Sequence, residues 1–276
     1  MSAEPFIPSN ALEGRVIVVI GAGAVGDGWS NGKACAVGYA RAGGAVVCAD
    51  FVRERAEETA SLITQEGGRA LAVQVDATSE AGMMEVMGTA RDAFGSLDVV
   101  HNNVGVNGAW GTPDEITPAA WDQEVALNLT TTYLGIRCAA PIMIPQGGGA
   151  IVNVSSLAAV RFLRRPNVAY TASKAAVEAL TRSCATAYGP INIRVNCIRI
   201  GFSETPLMRG LIEGRGLSAE QMEEQMARSR RKVPLRAEHT GPFDVAAAAV
   251  FLASDQARHV TGVILNVDGG LECAPV

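Results

Sequence analysis

The chain has 276 residues, 48% hydrophobic and 18% charged, a composition that builds a core and excludes a disordered polymer. Its net charge of −5 gives no general pull toward nucleic acid or an anionic membrane, and its apolar runs are far too short for a membrane span. MSAEPFIPSN has no basic stretch leading into an apolar one, so no secretory signal is expected. The six cysteines are scattered without a C-x-x-C pair, which fits unpaired, mostly buried thiols in a reducing cytoplasm and no metal centre.

Residues 1–10 read as an irregular N-terminal segment. RVIVVI (15–20) is the first expected strand, short, β-branched and apolar on both faces, as in a parallel sheet covered on both sides. The glycine-rich span GAGAVGDGWSNG follows, and Gly21, Gly23 and Gly26 spell G-x-G-x-x-G. A helix starting directly after Gly23 would carry Gly28 and Gly32 in its interior, at about 1 kcal/mol each relative to alanine. A helix over 33–42, with Ser30 or Asn31 as N-cap, avoids that cost. Gly21 and Gly23 then form the turn, 24–29 bulge out, and Ser30, Asn31 and Gly32 offer N–H groups to a pyrophosphate. The second strand, AVVCAD (45–50), ends in Asp50, placed to accept two ribose hydroxyls and to repel a 2′-phosphate. With no arginine at 51 or 52, NAD is preferred over NADP, although Arg53 is near enough to soften that preference.

Strands are further expected at 70–76, 97–102, 150–156, 193–198 and 262–268, and helices near 53–66, 79–94, 117–139, 170–188 and 244–254. Met83, Met84 and Met87 in the third helix read as core. This alternation predicts one doubly wound α/β domain with right-handed crossovers and about seven strands. Residues 199–233 form the one irregular insertion, of the kind that often serves as a substrate lid; the basic run RSRRK (228–232) is expected to end a helix there.

Tyr170 and Lys174 stand four apart in the helical stretch YTASKAAVEAL, which puts them on one face. A fixed ammonium beside a phenol favours the phenolate, and a positively charged nicotinamide would help further, so the pair suits proton transfer for an alcohol/carbonyl couple. Ser156 ends the strand AIVNVSS at the carboxyl edge, where a hydroxyl can hold the substrate oxygen. Asn128, inside a helix that asparagine disfavours, can join through its side chain or a water, or cap a bend.

These motifs, with Asp76 in VDAT, NNVG (102–105) and PLRAEHTGPFDVAAAAVFLASD, resemble the short-chain dehydrogenase/reductase family over nearly the whole chain. The resemblance implies a Rossmann sheet, hydride transfer with NAD(P), and an Asn–Ser–Tyr–Lys tetrad falling on Asn128, Ser156, Tyr170 and Lys174. It further implies Asp76 and Ala77 at the adenine, Asn103, Val104 and Gly105 lining the cofactor, and Thr205 on the carboxamide. Gly201 and Phe202 belong to the same cofactor-contacting segment, and Phe51 follows Asp50 there. The chain departs from the family pattern in several places. Ile20 replaces the usual threonine before the first glycine. The glycine loop is about six residues longer, with Ser30 in place of the second glycine. Ile200-Gly201 replaces the usual Pro-Gly, which should loosen the segment beside the nicotinamide. The gap from Ser156 to Tyr170 is about one residue longer than usual.

The substrate pocket is expected from loops 106–111, 157–167 and 202–217, with Trp110, Phe162 and Met208 as possible apolar walls. Arg161, Arg164 and Arg165 make a positive cluster that either meets an anionic substrate group or is solvated or in a subunit contact. The expected activity is NAD-dependent interconversion of a secondary alcohol and a ketone. The alternatives are an NADP-dependent carbonyl reductase, a non-redox lyase or dehalogenase, and a nucleotide sensor. Gly21, Gly23, Asp50, Tyr170 and Lys174 argue against the last two. The family and the small-residue faces of 117–139 and 170–188 imply a homo-oligomer, a dimer or tetramer.

Overall fold

The computed structural model of the chain describes residues 7–162, 165–213, 218–235 and 238–274. The apolar runs become β1 (Val16–Ile20), β2 (Ala45–Asp50), β3 (Arg69–Gln74), β4 (Val99–Asn102), β5 (Gly149–Ser156), β6 (Ile193–Ile200) and β7 (Ile264–Val267). They form one seven-stranded sheet in the order β3-β2-β1-β4-β5-β6-β7, with every neighbouring pair parallel. The connecting helices are α1 (Asn31–Arg41), α2 (Arg53–Gln65), α3 (Glu80–Phe94), α4 (Pro118–Val125), α5 (Thr131–Gln146), α6 (Val168–Tyr188), α7 (Pro206–Glu213), α8 (Ala219–Arg230) and α9 (Pro242–Ala253).

The two-residue period of β1 feeds two cores. Ile17 and Val19 pack with Val37 of α1, Ile63 of α2 and Val250 of α9. Val16, Val18 and Ile20 pack on the opposite face with Met83 and Met87 of α3 and Met143 of α5. Because β1 lies between β2 and β4, the strand order reverses there. A crevice opens beyond the carboxyl ends of β1 and β4, the place where sheets of this kind bind ligands. Among the described residues no helix is long and apolar enough to cross a membrane.

Three local expectations change. Met83 and Met87 are buried, but Met84 is 60% exposed, because one step along a helix turns a side chain by about 100° off the core stripe. The single helix expected over 117–139 is α4, a π turn (Ala126–Thr130) and α5, which runs on through Pro141 and Pro145 to Gln146. Burial of Ala139, Ala140 and Met143 outweighs the two prolines, and Gly147 ends the helix at φ +85°. Residues 199–233 are not irregular: β6 reaches Ile200, and α7 and α8 follow. Ser218 and Gln221 close a capping box on α8. The basic run does end that helix, and Arg230 also pairs with Glu204 at 2.7 Å, tying the helix back to the segment that leaves β6.

Candidate active site

The glycine loop is built around Ser30. Its backbone is extended, its hydroxyl accepts from Lys33 N at 3.0 Å as N-cap of α1, and it donates to Gly23 O at 2.7 Å. One side chain thus starts the helix and closes the loop. The bulge between holds Gly26 and Gly28 at positive φ and is anchored by Trp29, whose ring meets Phe243 edge-on at 4.7 Å. Gly32 must be glycine, since a Cβ there would lie 1.9 Å from Gly21 O. Asn31 Oδ1, at the first turn of α1, accepts from Ser203 Oγ at 3.1 Å, so the helix N-terminus touches the segment after β6.

Asp50 ends β2 with both oxygens engaged: Oδ2 accepts from Gly23 N at 2.9 Å and Oδ1 from Val52 N at 3.0 Å. Phe51 beside it is exposed. Asp76 and Ala77 lie just past β3. The Thr78 hydroxyl and N–H hold the Asp76 carboxyl below its usual range. Asn103 donates to Gly21 O at 3.0 Å, and Val104 packs directly over Gly21, so 103–105 border the glycine turn. Gly201 N donates to Val267 O, and Thr240 N donates to Phe202 O, both at 3.0 Å. These bonds hold the segment that the missing proline was expected to loosen. Thr205 follows at the start of α7, where its hydroxyl accepts from Met208 N at 3.3 Å.

These residues fit a dinucleotide on structural grounds. A helix N-terminus with a capped first turn faces an anion. A carboxylate oriented by two backbone N–H groups stands at the neighbouring strand end, and at Gly105 the backbone passes so close to Lys174 that a Cβ would lie 3.0 Å from its Nζ.

The chemistry-bearing side chains converge beside that crevice. Ser156 is the last residue of β5; its hydroxyl accepts from Ala158 N at 3.2 Å and lies near enough to Tyr170, at the start of α6, to act on the phenol. Lys174, one turn on, is 2% exposed. Its Nζ lies 5.8 Å from the Tyr170 ring centroid and donates to Val154 O at 3.2 Å and Val104 O at 3.4 Å. Burial lifts the Tyr170 phenol above its ordinary value, the Ser156 hydroxyl pulls it down, and the Glu124 carboxylate raises it again. Burial also pushes Lys174 from 10.5 down to about 8. The expected acidic phenol is therefore not what burial favours here: both groups lose water, and Ser156 is the neighbour that assists the phenolate.

Asn128 sits fully buried in the π turn. Its Oδ1 accepts from Val106 N at 3.1 Å, and its Nδ2 donates to the carbonyls of Val106 and Glu124, both at 2.9 Å. The side chain thus fixes the segment that leaves β4, and its Oδ1 and Lys174 Nζ both abut Gly105. Glu124 was not singled out from sequence. Its buried carboxylate accepts from Gly108 N at 3.2 Å and Ala109 N at 2.9 Å, holding the loop that carries Trp110. The signal was its i, i+4 spacing from Asn128 on one helix face.

The substrate loops are stitched together. Gly111 N donates to Pro166 O at 2.9 Å, and Gly111 bridges to Asn167. Arg161 donates to the carbonyls of Leu271 and Glu272, Arg165 stacks on Trp110 at 5.3 Å, and Arg164 lies outside the described residues. Phe162 is 75% exposed and walls nothing, whereas Trp110 and Met208 are half-buried.

A sheet of this topology with a serine, a tyrosine and a lysine gathered at its carboxyl edge defines an alcohol oxidoreductase of the Rossmann type. A sequence model of the family described as enoyl-(acyl carrier protein) reductase matches residues 25–272. The chain belongs to the short-chain dehydrogenase/reductase family, which works with a nicotinamide cofactor. It is 33% identical over 262 residues to 2,5-dichloro-2,5-cyclohexadiene-1,4-diol dehydrogenase of Sphingobium indicum, covering 95% of this chain and 98% of the relative. It is 39% identical to cis-4-hydroxycyclohexanecarboxylate dehydrogenase of Sinomonas cyclohexanicum, covering 94% and 97%. Among solved structures it resembles 7α-hydroxysteroid dehydrogenase complexed with NADH and 7-oxo glycochenodeoxycholic acid. The TM-score there is 0.83 at 33% identity, covering 95% and 96%.

Proposed function

We propose that the chain is an NAD-dependent dehydrogenase that oxidises a secondary alcohol on a ring to the ketone. The observation that carries this reading is the Ser156–Tyr170–Lys174 cluster, whose Lys174 Nζ lies against Val104 and Gly105, the segment that borders the Gly21 turn. Ser156 holds the alcohol oxygen, and Tyr170 takes its proton as the carbon gives up hydride. Lys174 places a positive charge one turn away, 5.8 Å from the ring centroid, which a phenolate formed in the reaction would face. Asn128 keeps Val106 and the neighbouring loop in register for this relay. Ser30, Asn31 and Gly32 would hold the pyrophosphate, Asp50 and Phe51 the adenosine ribose, Asp76 and Ala77 the adenine, and Gly201, Phe202 and Thr205 the carboxamide end. A bound oxidised nicotinamide supplies the hydride acceptor.

The preference for NAD rests on Asp50, a fixed negative charge where a 2′-phosphate would sit; Arg53, which might have offset it, faces Glu57 at 3.9 Å. The ring substrates come from the relatives, all three of which bear names of cyclic compounds. We place the enzyme in the cytoplasm as a homo-oligomer, dimer or tetramer; Tyr133 and Ile144 leave apolar surface on α5 for such contacts.

The test is a panel of cyclic secondary alcohols with NAD+, followed by nicotinamide absorbance. Tyr170→Phe is expected to bind NADH as the wild type does and to lose turnover by about two to four orders of magnitude. Turnover that survives this substitution sinks the reading.

A further inference from the structure

We infer that Arg165, seated on Trp110, is the anion anchor of the substrate site, so that the alcohol carries a carboxylate or sulfonate remote from its hydroxyl. This deepens the function proposed above and rests on it. Of the cluster at 161–165, Arg161 is taken: its guanidinium donates to the Leu271 and Glu272 carbonyls. Arg165 is exposed, and its guanidinium lies 5.3 Å from the centroid of the Trp110 ring, with no carboxylate partner among the described residues. A guanidinium held over a ring by cation–π attraction spends none of its N–H groups on an oxygen acceptor, and those donors keep the planar fork of an arginine. That fork matches the two oxygens of a carboxylate or sulfonate.

The platform is held on both sides. Glu124 grips Gly108 N and Ala109 N just before Trp110, and Gly111 N reaches Pro166 O just after Arg165. The aromatic ring and the cation therefore belong to two loops tied at their bases, and the second loop runs into α6 only a few residues before Tyr170. Acidic groups nearby do not neutralise the cation. Glu124 is turned to its two backbone N–H groups, and Asp114 and Glu115 are turned to Thr112. What remains is an indole ring beside a guanidinium with no carboxylate partner among the described residues, a surface that selects an organic anion with a hydrocarbon body.

The experiment titrates cyclohexanecarboxylate, cyclohexanesulfonate and neutral cyclohexanecarboxamide into the NADH complex, read by nucleotide fluorescence and calorimetry. The wild type is expected to bind at least one anion about tenfold or more tighter than the amide, with an affinity that falls as salt rises. Arg165→Ala brings the anions to the level of the amide and leaves NADH binding unchanged, and Arg165→Lys restores part of the preference. Tyr170→Phe keeps the anion preference, so failure of the anchor and failure of the proposed chemistry read separately. Absence of any anion preference in the wild type, or a preference that persists in Arg165→Ala, overturns the proposal.

Discussion

Replacing Lys174 by methionine keeps an unbranched side chain, one atom shorter, and removes its charge. In the folded protein this ammonium is 2% exposed and donates to two backbone carbonyls, with no carboxylate hydrogen-bonded to it among the described residues. That environment moves it from 10.5 to about 8. At about 1.4 kcal/mol per unit, the folded state disfavours the charged form by roughly 3 kcal/mol relative to water. The sign follows from proton counting. Below pH 8 the lysine is protonated in folded and unfolded chains alike, and the wild type carries the whole penalty. Between pH 8 and 10.5 the unfolded chain keeps a proton that the folded chain has lost, so wild-type stability rises with pH relative to the variant. Urea unfolding of both proteins at one protein concentration, from about pH 7 to pH 10, isolates this effect because the other titrating groups cancel in the difference. The gap between the two stabilities is expected to be constant near neutrality and to move by roughly 2–3 kcal/mol in favour of the wild type toward pH 10. A gap that stays flat over the whole range refutes the claim that the lysine is desolvated. Turnover by Lys174→Met is expected to fall throughout.

Asp50→Asn removes the charge that repels a 2′-phosphate; kcat/KM with NAD+ should drop about 10- to 100-fold and the NADP/NAD ratio should rise by about as much, whereas an unchanged ratio would remove Asp50 from cofactor choice. Glu124→Gln removes a negative charge that raises the Tyr170 phenol. The acid limb of kcat/KM for alcohol oxidation should therefore shift to lower pH, and KM should rise as the loop at Gly108 and Ala109 loosens; a limb that does not move would mean that the carboxylate acts on the loop alone.

The fold was legible because its signals are local. Each strand is a short β-branched run, and the start of α1 followed from the cost of interior glycines set against the capping ability of Ser30. The neighbourhood of Tyr170 and Lys174 was equally local, since helical spacing alone places them one turn apart. Their protonation was not legible, because spacing reports proximity and says nothing of burial, and burial dominates both groups. The π turn at Asn128 was legible only as an oddity: an asparagine where a helix disfavours one. Glu124 holding Gly108 and Arg161 holding Leu271 escaped the sequence reading for a common reason, a side chain joining segments that no periodicity relates. The continuation of α5 through two prolines was hidden by tertiary packing that overrode propensity.

The consecutive serines at the end of β5 show how the distant contacts fix what the local spacing only permits. Side chains alternate across a strand, so Ser156 and Ser155 face opposite ways. Ser156 meets Tyr170, while Ser155 is buried, its hydroxyl 3.1 Å from Lys174 O and 2.9 Å from Glu178 Oε1. Glu178 in turn accepts from Nε and Nη2 of Arg199 on β6, at 2.7 and 2.6 Å, and Nη1 of Arg199 reaches Glu272 beyond β7 at 2.7 Å. This ion pair is nearly dry, so removing one partner would strand a buried charge at a cost of about 3–5 kcal/mol. The backbone of Lys174 is thus pinned from behind by the same strand end that carries Ser156. The tyrosine and lysine sit one turn apart because of the helix. Their height above the sheet is set by β5, β6 and the C-terminal segment, which hold that helix in place.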